Sequence, residues 1–103
     1  MSVESSRAVV EMDRPSPYLK QLCKHFRHRH QVTWTDTEGM LDFPFGSCRL
    51  TADSHTLTLV ATARDSAQLA RTEDVVGSHL ERFGRRDCLA VSWTRDSHDP
   101  TEQ

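Results

Sequence analysis

The sequence predicts an α+β fold, an antiparallel β-sheet with two α-helices packed on one face, in the order β-α-β-β-β-β-α-β. Three observations point to it. Five short segments alternate apolar and polar residues, the signature of half-buried strands. Two other segments carry their apolar residues at helical spacing instead. Tight turns join four consecutive strand segments, which must then run antiparallel. With 103 residues the chain reads as one domain, residues 1–103, with an ordered core of about 7–95 and polar tails.

Each element has its own local reason. Arg7 to Met12 is a short apolar run suited to a first strand. Ser16 followed by Pro17 marks a helix start, because Ser caps a free N–H and Pro loses nothing at the first helical position. From Ser16 to His30, Leu19, Leu22, Cys23 and Phe26 form one stripe, as a helix packing on a core requires. Gln31 to Asp36, Leu41 to Phe45, Ser47 to Ala52 and Thr56 to Ala63 then alternate as strands, with Pro44 suggesting an edge or a break. Asp65 with Gln68 three residues later makes a capping-box pattern. Leu69, Val76, Leu80 and Phe83 form the stripe of a second helix, and Gly84 suits the position just past its end. Cys88 to Thr94 alternates Leu89, Val91 and Trp93 as a last strand. The outward face of the sheet then reads Thr33, Thr35, Asp42, Arg49, Thr51, Thr58, Val60 and Thr62, a surface that is solvated or docks a partner or a second copy.

Composition narrows the function classes. A net charge of −2 and a pI near 6.3 argue against general nucleic-acid binding, which calls for a basic domain. No apolar run approaches the ~18 residues that span a bilayer, and the start Met-Ser-Val-Glu-Ser-Ser-Arg is too polar for a secretory leader, so the expected location is the cytoplasm and no membrane partner is expected. Three widely spaced cysteines, Cys23, Cys48 and Cys88, read as buried free thiols at inward or near-core positions. No phosphate-binding glycine loop, nucleophile elbow or paired catalytic carboxylates occur, so no catalytic residue is assigned.

Charge is distributed unevenly. Between Arg14 and Arg29 lie five Lys or Arg and no acid, so the remaining residues carry an excess of seven negative charges. The exposed side of the first helix is basic and bears His25, His28 and His30, half of the histidines in the chain. Such a face attracts a small anionic ligand or an acidic protein partner by its field. His25 and His28, three apart on a helix, are the candidate metal ligands, although no third ligand is evident nearby and no cofactor beyond a metal ion is suggested. His30, nearer the core stripe, reads as structural. Glu73 falls within the apolar stripe of the second helix and needs a partner, for which Arg49, His79 or a histidine of the first helix are the candidates. Phe43-Pro44-Phe45-Gly46 offers either a pocket lining or a core corner closed by glycine.

Several of these segments together resemble the bacterial family of unknown function DUF2218. They are Tyr18-Leu19-Lys20-Gln21-Leu22-Cys23-Lys24-His25-Phe26, Phe43-Pro44-Phe45-Gly46 with Cys48-Arg49-Leu50, Glu73-Asp74-Val75-Val76, Ser78-His79-Leu80-Glu81-Arg82-Phe83 and Trp93-Thr94-Arg95. The resemblance spans roughly residues 7 to 95, with Arg27-His28-Arg29-His30 more basic than the family pattern. It implies a small stand-alone domain and, through association of some members with siderophore-interacting ferric reductases, a link to iron handling. The expected function is therefore a non-catalytic accessory module that binds a ligand or partner, with His25, His28, Arg49, Glu73 and His79 as the binding residues. Two alternatives stand beside it. One is a metal-binding or weakly catalytic domain with a His/Glu cluster between the helices, and the other is a homodimer built through the threonine-rich face.

Overall fold

The structure, a computed structural model, describes residues 3–95. Its elements are β1 (Glu4–Glu11), α1 (Pro15–Phe26), β2 (Gln31–Trp34), β3 (Glu38–Phe43), β4 (Gly46–Ala52), β5 (Thr56–Ala63), α2 (Ser66–Phe83), a 3-10 turn at Arg85–Asp87 and β6 (Thr94–Arg95). The six strands form one antiparallel sheet in the order β2-β3-β4-β5-β1-β6. Both helices cover the same face, as the sequence predicts.

Register explains why only one face is apolar. Val10 pairs with Leu57 and Ala8 with Leu59; Leu59 pairs with Leu50, and Cys48 with Leu41. Side chains on paired residues share a face, so these partners stack into one continuous apolar layer. All of them are buried, and Leu19, Leu22, Cys23 and Phe26 of α1 close over them together with Val76 and Leu80 of α2. Thr33, Arg49, Thr58, Val60 and Thr62 have the opposite parity and lie on the outer face.

Four local expectations need correction. Ser16 does not cap α1: the helix starts at Pro15 after Arg14, with no side-chain cap, and Ser16 Oγ donates to the Asp36 carbonyl at 2.7 Å instead. Two prolines in the first turn tolerate this, because those N–H positions have no partner within the helix. The helix also ends at Phe26, not His30. Arg29 and His30 donate back to the Phe26 carbonyl at 3.2 and 3.0 Å, and this turn releases the chain into β2. β1 begins at Glu4, three residues before its apolar run, because Glu4-Ser5-Ser6 find backbone partners along β5.

The fourth correction concerns the last strand. Only Thr94–Arg95 pairs with β1, at Arg7 and Ser6. Leu89, Val91 and Trp93 do turn inward, yet they lean on α2 as a strap. The Val91 N–H donates to Glu81 Oε2 at 2.8 Å and the Leu89 N–H to the Gly84 carbonyl at 3.1 Å, so neither is available to a sheet ladder. Cys88, expected inward, is exposed and takes a left-handed backbone with φ of 57° where the strap departs from the 3-10 turn. Gly84 stands past the end of α2 as expected, but with φ of −98°. Its value is space, since an added Cβ would collide with Leu89 and lie 3.0 Å from that residue's own Cβ.

Two outcomes follow. Gly84→Ala pushes the strap off α2, and overpacking of this kind costs about 1–3 kcal/mol; a melting curve within error of wild type would contradict the tight Leu89 contact. The Cys23 and Cys48 thiols are buried, and burial pushes them up to about 11 and about 12. A thiol-disulfide reagent at mildly alkaline pH therefore modifies Cys88 alone in the folded protein, and all three cysteines after denaturation.

Candidate functional site

The site forms where the C-terminal end of α1 meets the middle of α2. His25 occupies the last turn of α1, and the chain then turns through His28, Arg29 and His30. On α2, Arg71, Val75 and His79 recur every fourth residue and so share one side of the helix. The β3–β4 hairpin brings up Phe43, Pro44 and Phe45 from below. Gly46 seats this hairpin: an added Cβ there would lie 2.7 Å from the Thr62 carbonyl oxygen and strike Thr72. Both readings of Phe43-Pro44-Phe45-Gly46 therefore hold, since Phe43 is buried core and Phe45 lines the cavity.

These residues enclose a cavity of about 580 Å³, within the ~300–1,000 Å³ typical of small-molecule sites. Aromatic rings form its frame. The His25 and His79 rings lie 4.7 Å apart, Phe26 packs 4.9 Å from His79, and His30 meets Phe43 edge-on at 4.7 Å. Phe43 and Phe45 stack 5.0 Å apart and almost parallel, at 2°. The Arg71 guanidinium carbon lies 4.5 Å from the centroid of Phe45. Charge at the rim is of one sign. Among the described residues, four histidines and two arginines line the cavity, with no carboxylate, hydroxyl or thiol beside them.

His25 titrates below the ordinary imidazole range, because burial disfavours its cation and His79, His28 and Arg82 add positive charge around it. His79 Nδ1 lies 2.6 Å from the Val75 carbonyl. The neutral ring that fits this contact donates from Nδ1 and keeps a free lone pair on Nε2. The cavity can thus offer cationic forks, imidazole lone pairs and aromatic faces, but no hydroxyl, thiol or carboxylate among the described residues.

The structure brings three of the five sequence candidates together: His25, His28 and His79 all line the cavity. Arg49 does not join them. It is exposed on the outer face of the sheet, beside Thr33, Thr35 and Met40. Glu73 is also elsewhere, and its partner is none of those expected. Arg95 of β6 reaches across to it with two contacts of 3.2 Å, while the same guanidinium donates to Ser66 Oγ at 2.7 Å. Glu73 therefore fastens the end of the strap to α2, a long-range pairing that helix periodicity does not reveal. Among the described residues, no group of three or more His, Cys, Asp or Glu side chains is arranged to hold a metal ion.

Two lining residues escaped the sequence reading, and one was given another role. Arg71 could have been found from His79, eight residues later on the same side of α2. Arg29 is signalled only by the general basicity of its segment. His30, read as structural, does pack on Phe43 but also lines the cavity. A larger depression of about 610 Å³ runs along β1, β5 and β6 past Val9 and Val60. Among the described residues its charged side chains are Arg7 and Arg95, and they gather no comparable set of titrating groups.

Comparison with known proteins supports the fold. A family model described as an uncharacterized protein conserved in bacteria (DUF2218) matches residues 7–94. The NMR structure of PA4090 from Pseudomonas aeruginosa is similar throughout, with a TM-score of 0.72 and 29% sequence identity, covering 91% of this chain and 96% of that one. No curated protein matches the chain.

The low proton affinity of His25 has a measurable consequence for stability. Its unfolded imidazole has the higher pKa, ~6.5, so the unfolded state binds more protons in the window just below that value. The associated stability is full above this pH and is lost as the pH falls toward the folded-state pKa. Melting temperatures of wild type and His25→Gln should converge on acidification from pH 7.5 toward 5.5, with wild type losing more; parallel curves would remove His25 as the titrating group.

Proposed function

We propose that this chain, which belongs to the DUF2218 family of bacterial proteins, is a non-catalytic binding module that holds a small anionic ligand in the cavity between α1 and α2. One observation carries the reading: cationic and imidazole side chains from α1, the turn after it and α2 converge on a concave aromatic surface to which no described residue contributes a counter-charge. The ion pairs among the described residues are Lys20 with Asp36 and Arg95 with Glu73, so Arg29 and Arg71 enter neither. His25, His28, Arg29 and Arg71 are exposed, so their charge is hydrated, and an anion entering the concave surface exchanges that water for charge-assisted contacts. No described lining residue is a carboxylate, hydroxyl or thiol that would pair with these imidazoles as a catalytic partner, which favours binding over turnover. An acidic protein partner is the larger form of the same proposal, and a role beside iron or siderophore metabolism is its physiological extension.

A second reading has one specific observation behind it. The contact between His79 Nδ1 and the Val75 carbonyl is the arrangement that commonly orients a metal-bound imidazole through its other nitrogen. With His25 adjacent, two lone pairs could face one divalent ion. The surrounding positive charge opposes this, and the anion reading is preferred for that reason.

Calorimetric titration separates the two. Citrate, phosphate and an anionic ferric catecholate chelate serve as probes on one arm, and Zn²⁺ and Fe²⁺ on the other. An anionic probe should bind more tightly as pH falls from 7.5 to 6, taking up a proton, because the bound charge raises imidazole pKa values. Arg29→Ala and Arg71→Ala should each weaken it about tenfold, the equivalent of one charge-assisted hydrogen bond. Tight Zn²⁺ binding with proton release, and no response to any anion, would establish the metal reading instead. Native mass spectra of the same samples report whether the threonine-rich outer face supports a dimer.

A further inference from the structure

We infer that the ligand of this cavity is a planar aromatic carboxylate, its ring packed against the edge of Phe45 and the His25 and His79 imidazoles, with its carboxylate on Arg71. The inference rests on the anion-binding reading above and narrows it to one chemical class. Phe26, Phe45, Val75 and the imidazole faces supply an apolar and aromatic surface that a bare inorganic anion would leave uncovered. The Arg71 guanidinium over Phe45 enters no ion pair among the described residues, and a guanidinium edge matches a carboxylate with two parallel hydrogen bonds.

Two further features discriminate against phosphate. Phosphate sites typically exploit the N–H groups at a helix N-terminus. The cavity instead opens at the C-terminal end of α1, where the backbone carbonyls carry partial negative charge, and on the middle of α2. Its permanent positive charges are Arg29 and Arg71, with the imidazoles adding charge only on protonation. A singly charged group with a flat apolar body fits that balance better than a compact dianion.

The test compares probes of like charge and different body. Amide chemical shifts of the full chain are followed by two-dimensional NMR with benzoate, 2-naphthoate, cyclohexanecarboxylate and inorganic phosphate. Shifts should appear at residues 25–30, 45 and 71–79, with benzoate at least about threefold tighter than cyclohexanecarboxylate and 2-naphthoate tighter again. Arg71→Lys retains the charge but not the fork, and should weaken benzoate about tenfold while leaving phosphate unchanged. Phe45→Leu should erase the preference for the aromatic acids while the unperturbed remainder of the spectrum confirms the fold. Equal binding of benzoate and cyclohexanecarboxylate, or tighter phosphate, overturns the aromatic class and leaves the anion site standing. Silence toward every probe at concentrations of about 10 mM, or shifts confined to the outer sheet face, overturns both.

Discussion

The structure depends on one constraint: a six-stranded antiparallel sheet with a single apolar face must have that face covered. The strand register stacks Val10, Leu57, Leu59, Leu50, Cys48 and Leu41 into a layer wider than one helix can shield. At ~25 cal/mol per Å² of apolar surface, leaving part of such a layer in water outweighs most local preferences. Two helices therefore lie side by side over it. Their meeting line, rather than either helix alone, produces the cavity.

The same constraint accounts for the strap. α2 lies over β5, β4 and β1 with an 18-residue span, and its outer flank still exposes apolar surface beyond the sheet. Leu89, Val91 and Trp93 cover that flank, and Arg95 locks the end of the segment onto Glu73 and Ser66. Tyr18 Oη donates to Asp87 at 2.6 Å and ties α1 to the start of the same segment. These polar contacts are exposed and individually weak. They set direction, while burial supplies the stability.

Packing the helix ends together has an electrostatic consequence. A basic helix surface that is harmless in solvent becomes, at the meeting line, a concentration of positive charge with His25 pushed toward its neutral form. Phe26, Phe43 and Phe45 make the floor of that region aromatic. Charge without counter-charge among the described residues, over an aromatic floor, is the reason for proposing a binding role there.

The sequence by itself determined the fold class, the order of the elements and nearly every inward-facing residue, because periods of 2 and 3.6 are local consequences of strand and helix geometry. It also marked His25, His28 and His79 as residues of interest. Only the tertiary structure decided which of the marked residues meet. Arg49 and His25 are both polar and exposed in sequence terms, yet the sheet separates them. Glu73 pairs with Arg95, 22 residues away, because a segment that alternates like a strand finds α2 before it finds β1. Arg71 joins the site through the hairpin that lifts Phe45 toward it. Local periodicity encodes which way a side chain faces. What it faces depends on contacts far apart in the chain, and these are settled only when both helices have covered the sheet.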